Sequence, residues 1–210
     1  MSVFITQPME YWASGGPLLF VLAVVCFGIW FYLLRTRSVL VYSLKTNREN
    51  EEKTLRRMSS GPEELFKTEL PRSDGIVHSI AASALRDIRE GAPPDKAFEE
   101  NTTEPLRKLS GDIKVISALT ASAPLLGLLG TVMGMIETFS AVSSAGGETA
   151  GRVADGISKA LITTQFGLVI AIPGMLGVSQ LHRLVERVKM RLAIYRIHAI
   201  MGLARIIQAR

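Results

Sequence analysis

Residues 115–136 read VISALTASAPLLGLLGTVMGMI, 22 positions without an Asp, Glu, Lys, Arg or His. A hydrocarbon core about 30 Å thick needs about 20 apolar helical residues to cross it. A core helix of a water-soluble domain seldom runs that far without a charge on its outer face. The stretch therefore predicts a transmembrane helix. Two others share its character: Tyr11–Leu34, 24 residues long, and Ala160–Leu181, 22 residues long. Three spans make the chain an all-α membrane protein, in keeping with a mean hydropathy of +0.26.

The rest of the composition narrows the class. The chain has 210 residues, 48% hydrophobic and 20% charged, which excludes a disordered or collagen-like chain. One cysteine, Cys26, leaves no disulfide framework. With three histidines it offers too few soft ligands for a zinc or iron–sulfur site, so no metal and no cofactor is expected. No dinucleotide fingerprint, P-loop, zinc-protease or nucleophile-elbow pattern occurs, and no carboxylate, His or Lys sits in the middle of a span. The chain is not expected to be an enzyme.

Charge sets the orientation. Glu10 is the only charge before Arg35, and Arg35 and Arg37 close the first span at once. No basic residue precedes that span and no small-x-small site follows it, so it reads as a retained helix rather than a cleaved signal peptide. Of the 24 Lys and Arg, 15 fall between Arg35 and Lys114 and seven after His182; between the second and third spans stand only Arg152 and Lys159. Under the positive-inside rule the N-terminus is periplasmic and the C-terminus cytoplasmic. The net charge of +5 is then an orientation signal and not a nucleic-acid footprint.

The expected layout follows: periplasmic N-terminus 1–15, span 16–35, cytoplasmic helical loop 36–114, span 115–138, short periplasmic connection 139–156, span 157–181, and cytoplasmic helical tail 182–210. In the loop, Ser73 and Asp74 can cap a helix whose apolar positions Ile76, Val77, Ile80, Ala84, Leu85 and Ile88 end at Gly91. Leu106, Leu109, Ile113 and Ile116 form a stripe that enters the second span without a breaker. Leu181, Leu184, Val185, Val188, Leu192 and Tyr195 carry the third span's periodicity to about residue 200, with Asp155 and Gly156 marking its start. The second and third spans therefore extend into a cytoplasmic helical bundle.

Within the spans the informative residues are small or hydroxylated. Ala123, Gly127, Gly130 and Gly134 form one small stripe, and Thr163, Gly167, Ala171 and Gly174 another. Such stripes let membrane helices approach closely. Thr131 and Thr164 fall at similar depth when the two helices run antiparallel. Their hydroxyls either line a polar path or bond the carbonyl three or four residues back; spacing alone leaves both open. Pro124 frees the carbonyl of Thr120 and Pro173 that of Val169, so both helices should face protein or a cavity there.

Two segments carry a resemblance: Ala123-Pro124-Leu125-Leu126-Gly127-Leu128-Leu129-Gly130-Thr131-Val132-Met133-Gly134-Met135-Ile136, then Ile157-Ser158-Lys159-Ala160-Leu161-Ile162-Thr163-Thr164 with Gly167-Leu168-Val169-Ile170-Ala171-Ile172-Pro173. Together they resemble the MotA/TolQ/ExbB proton-channel family, in its three-span ExbB/TolQ branch. The resemblance implies a homopentamer around two helices of an ExbD/TolR-like single-span subunit whose membrane Asp carries the proton. It also implies work on a TonB- or TolA-like protein from the bacterial inner membrane. Thr131 and Thr164 match the family's pore-facing threonines, with Thr163 beside them. Gly127, Gly130, Gly134, Gly167, Ala171, Pro124 and Pro173 would pack the pore helices, and Glu137 and Lys159 would stand at its mouth. ExbB and TolQ usually have Glu where this chain has Lys159; here Asp155 and Lys159 make a favourable i,i+4 pair. The aromatic first span should lie outside the ring against lipid, and Thr120 should be bonded only locally. The alternative function is a passive membrane scaffold; a solute transporter lacks midplane binding groups.

Overall fold

In the computed structural model, residues 16–44, 48–60, 75–144 and 149–208 are described. Five helices account for nearly all of them: α1 Gly16–Leu44, α2 Arg48–Ser60, α3 Ile76–Arg89, α4 Pro94–Ser144 and α5 Thr149–Gln208. Three of these, α1, α4 and α5, are long and apolar enough to cross a membrane. The chain is an all-α multi-pass membrane protein. It divides into two compact units, one of Met1–Leu33 with Lys114–Ser179 and one of Leu34–Ile113 with Gln180–Arg210.

The first unit holds the spans. Its centre is small: Leu22, Ala123 and Ala171 are buried together, with Val25, Leu126 and Ile170 against them. Ala123 and Ala171 flank Pro124 and Pro173, so both proline turns lie against protein, as the freed carbonyls require. Leu19, Leu22 and Ile29 turn the buried side of α1 inward, while Phe20, Phe27, Trp30 and Phe31 are exposed.

The second unit is a helical bundle whose core alternates short and long side chains. Val77, Ile80, Ala81, Ala84, Leu85 and Ile88 of α3 are buried, as are Leu109 and Ile113 of α4 and Leu181, Val185, Val188, Leu192, Tyr195 and Ala199 of α5. The helix ends are tied to it. The last carbonyl of α1, on Leu44, accepts from Arg191 Nη1 at 3.0 Å, and the first amide of α3, on Ile76, donates to Ser43 Oγ at 3.3 Å. Both are groups that a helix leaves without an internal partner. Tyr195 Oη and His78 Nε2 lie 3.4 Å apart, both buried.

Helix limits differ from the sequence reading in three places. The α1 helix continues past Arg35 to Leu44, because Leu33, Thr36, Leu40 and Ser43 bury one stripe and no Gly or Pro interrupts it. Helix α5 starts at Thr149, ahead of Asp155 and Gly156, and runs to Gln208. Helix α3 ends as expected: Gly91 takes φ +99°, and its N–H bonds Ile88 O at 3.1 Å. Its start differs, since Gly75 is the N-cap and makes no side-chain cap bond; Ser73 and Asp74 lie outside the described residues. Helix α2 has no counterpart in the sequence reading; among its described side chains Met58 is buried and Leu55 half-buried.

Candidate functional site: the hydroxyls between two spans

Within the first unit, α4 and α5 pack antiparallel in a fixed register. A methyl on Gly167 would lie 2.7 Å from Ala123 O, one on Gly127 3.1 Å from Thr163 O, and one on Gly134 2.9 Å from the Ala160 side chain. Gly130 receives Thr163, whose Cβ would stand 2.6 Å from an added methyl. Gly174 receives Thr120 in the same way, with Oγ1 at 2.9 Å, and Gly156 receives Thr138. The residue numbers of the facing pairs sum to between 290 and 294, a spread of one helical turn, so one straight register holds for at least five turns. Threonine knobs in glycine holes are what a lipid-embedded pair can use, because close backbone approach replaces the missing hydrophobic drive. Gly127, Gly130, Gly134, Gly167 and Ala171 are buried in this contact, and Pro124 and Pro173 are half-buried at its edge.

The register brings Thr164 against the Gly127 turn, one turn from Thr131. The two hydroxyls differ. Thr164 Oγ1 donates across the helix pair to Gly127 O at 3.0 Å. Thr131 Oγ1 donates within its own helix to Leu128 O at 2.7 Å. Thr163 Oγ1 is buried and bonds Ala160 O at 2.8 Å. Thr131 and Thr164 are only half-buried, so each keeps open lone pairs.

At the nearer end of these spans, five to six residues from the hydroxyls, Lys159 pairs with Asp155 at 2.9 Å, and Glu137 is exposed. The i,i+4 pair expected from the sequence is therefore made. Among the described residues no cluster of His, Cys, Asp and Glu suits a metal ion.

Two residues fall outside the sequence reading. Thr120 is 2% exposed and its Oγ1 has no partner among the described residues, so it is not the locally bonded hydroxyl expected. Pressed against Gly174, it has no room to turn freely. Thr138, buried and bonded to Gly134 O at 2.7 Å, is the knob for Gly156. Its place becomes legible only once the α4–α5 register is known.

Comparison with known proteins agrees with this geometry. The sequence model of the MotA/TolQ/ExbB proton channel family matches residues 72–194, which include α3, all of α4 and the first three-quarters of α5. A Tol-Pal system protein TolQ of Haemophilus influenzae is 26% identical over 189 residues, 81% of each chain. The biopolymer transport protein exbB1 of Vibrio cholerae is 34% identical over 104 residues, 47% of this chain and 46% of that protein. An ExbB-like putative biopolymer transport protein of Synechocystis is 40% identical over 83 residues, 38% of this chain and 33% of that protein. Against the last two the chain spans less than half of the relative's length. The matched family consists of transport and channel subunits rather than enzymes. With both hydroxylated spans inside the matched region, the chain belongs to the MotA/TolQ/ExbB proton channel family.

Proposed function

We propose that the chain is an ExbB/TolQ-like stator subunit of the bacterial inner membrane. Copies of it, five by the family resemblance, surround the helices of an ExbD/TolR-like single-span partner and convert proton-motive force into work on a TonB- or TolA-like protein. The observation that carries this reading is the pair of half-buried hydroxyls, Thr131 and Thr164, one turn apart within the stretches 115–136 and 160–181, which hold no titratable group.

The chemistry follows from that absence. A proton crossing here needs a carrier, stretches 115–136 and 160–181 supply none, and the family resemblance implies that a carboxyl on the partner takes that role. An ionised carboxylate only accepts hydrogen bonds, whereas a protonated one donates. Thr164 and Thr131 can answer both states. Beside a carboxylate each hydroxyl turns from its carbonyl and donates to the anion. Beside the neutral acid each keeps its bond to Gly127 O or Leu128 O and accepts through a lone pair. The hydroxyls thus lower the cost of an ion in lipid without fixing one protonation state. Each charge moved through the potential makes about 2.3 kcal/mol per 100 mV available. Neutralising the carboxylate releases it from the hydroxyls and lets the partner helices move.

The test is reconstitution. Vesicles holding this chain together with a single-span protein that carries a membrane Asp should acidify under an imposed potential, and the partner's Asp→Asn variant should not. A complex that assembles yet conducts no protons would favour the passive scaffold.

A further inference from the structure

Lys159 does not share a side of α5 with the hydroxyl at Thr164. Five residues separate them, about 140° around a helix of 3.6 residues per turn. Phe166 and Ile170, seven and eleven residues on from Lys159, each lie within about 20° of it instead. That side of α5 borders an apolar groove of about 510 Å3 in the first unit, walled by Leu19, Ala23, Phe27 and Trp30 of α1 and by Phe166 and Ile170 of α5. The volume is that of a ligand pocket, roughly 300–1,000 Å3, and no residue of its wall is charged.

The groove runs toward Lys159. Leu22 of α1 packs with Ala171 of α5, and Leu33 lies against Gly177. The two helices are therefore parallel here, and the Leu19 end of the groove points to the end of α5 that bears Lys159. Lys159 stands about 10 Å by helical rise beyond Phe166, just outside the charge-free stretch 160–181. A seat for an apolar chain within the membrane and a charged group at its edge are the two parts of a phospholipid site.

The charges select the headgroup. Lys159 Nζ is 2.9 Å from Asp155 Oδ2, and Glu137 of α4 attracts the same ammonium from further off. Two carboxylates and one ammonium leave a net negative charge, which repels an anionic headgroup. A zwitterion fits both signs. Its phosphate can accept from the N–H groups that Lys159 does not spend on Asp155, and a primary ammonium can donate to the carboxylate lone pairs still open. A quaternary ammonium has no N–H to give.

We propose that the groove and the Lys159–Asp155–Glu137 charges bind a phospholipid with a zwitterionic, primary-ammonium headgroup, a phosphatidylethanolamine, whose acyl chain lies between α1 and α5. The chain gains the many small dispersion contacts that a fitted wall gives over a disordered bilayer. Under the positive-inside rule the lipid belongs to the periplasmic leaflet. One copy of the chain supplies every residue of the site, so the inference depends neither on the ring nor on proton conduction.

Trp30 reports from the groove wall, and in a Trp12→Phe background it is the one tryptophan of the chain. The full chain would be reconstituted in phosphatidylcholine vesicles containing rising fractions of a lipid brominated on its acyl chains, with phosphatidylethanolamine, phosphatidylglycerol or phosphatidylcholine headgroups. Bromine quenches tryptophan on contact. Half-quenching by the phosphatidylethanolamine should come at a mole fraction about fivefold lower than by the other two, the upper end for one partly exposed ion pair. Lys159→Gln should move the phosphatidylethanolamine curve onto the others, and Ala23→Phe, which fills the groove, should do the same with Lys159 intact. Helical content measured on each variant checks that it folds. Three coincident curves in the parent chain, or an unmoved curve in Lys159→Gln, overturn the site and leave a groove wetted by bulk lipid. No quenching by any of the three overturns it in favour of protein in the groove, from a neighbouring copy or from another segment of this chain.

Discussion

Three threonines of the helix pair differ in bonding, one across the interface, one within its own helix and one without a partner among the described residues, and their substitutions should separate accordingly. Thr164 holds Gly127 O across the interface at 3.0 Å. Thr164→Val removes that bond and should lower the stability of the folded chain by about 0.6 kcal/mol, the size of a typical interhelical bond in a membrane. Thr131 bonds only its own helix, so Thr131→Val should leave the melting temperature unchanged. Thr120 reverses the sign. Its buried hydroxyl has no partner, and an isosteric apolar group avoids the desolvation cost, so Thr120→Val should raise stability by up to about 1 kcal/mol. Thermal unfolding in one detergent compares all three. A drop for Thr120→Val would mean that its hydroxyl has a partner in the working state. At Gly167 a methyl would stand 2.7 Å from the Ala123 carbonyl oxygen. Gly167→Val must therefore push the helices apart, at a cost of about 1–3 kcal/mol, and should reduce the yield of folded chain.

Among the elements, α4 and α5 were the most legible, because absence of charge marked their spans and a period of 3.6 carried each beyond the membrane. The limits were less so. Arg35 closes the apolar run of α1 but not its helix, since a charge ends burial in lipid without disfavouring helical backbone; Leu40 and Ser43 bury the continuation. Helix α2, polar apart from Leu55 and Met58, offers too short a stripe to read. The small stripes named the right interface, yet which threonine faces which glycine depends on an interhelical register that one sequence does not encode locally. For that reason Thr138 is not legible in the sequence, and the local bond expected of Thr120 is not found. The Arg191 bond to Leu44 O joins residues 147 positions apart, beyond any local pattern. Arg191→Ala should free that terminal carbonyl and lower bundle stability by about 1 kcal/mol, measurable as earlier proteolysis near the end of α1. Unchanged proteolysis would mean that solvent serves the carbonyl equally well.

At the scale of the whole molecule, orientation and conduction are the open claims. The positive-inside rule applied to the charge distribution predicts that the N-terminus and the α4–α5 connection are on the periplasmic side. In a Cys26→Ser background, cysteines at Ser2 and Gly147 should react with an impermeant reagent added to the periplasm, and cysteines at Ser60 and Gln208 should not. The reverse pattern would invert the topology. The central claim is that a partner's proton passes the Thr131 and Thr164 hydroxyls. The direct measurement is proton flux through the reconstituted complex carrying Thr131→Val and Thr164→Val, with assembly checked by mass. A carboxylate that loses its hydrogen-bond donors in lipid is held protonated, with a penalty of several kcal/mol against ionising. The account predicts flux reduced at least about tenfold, the effect of 1.4 kcal/mol on a rate, in a complex that still assembles, with Thr→Ser at both positions keeping part of it. Undiminished flux in the double Val variant would contradict it.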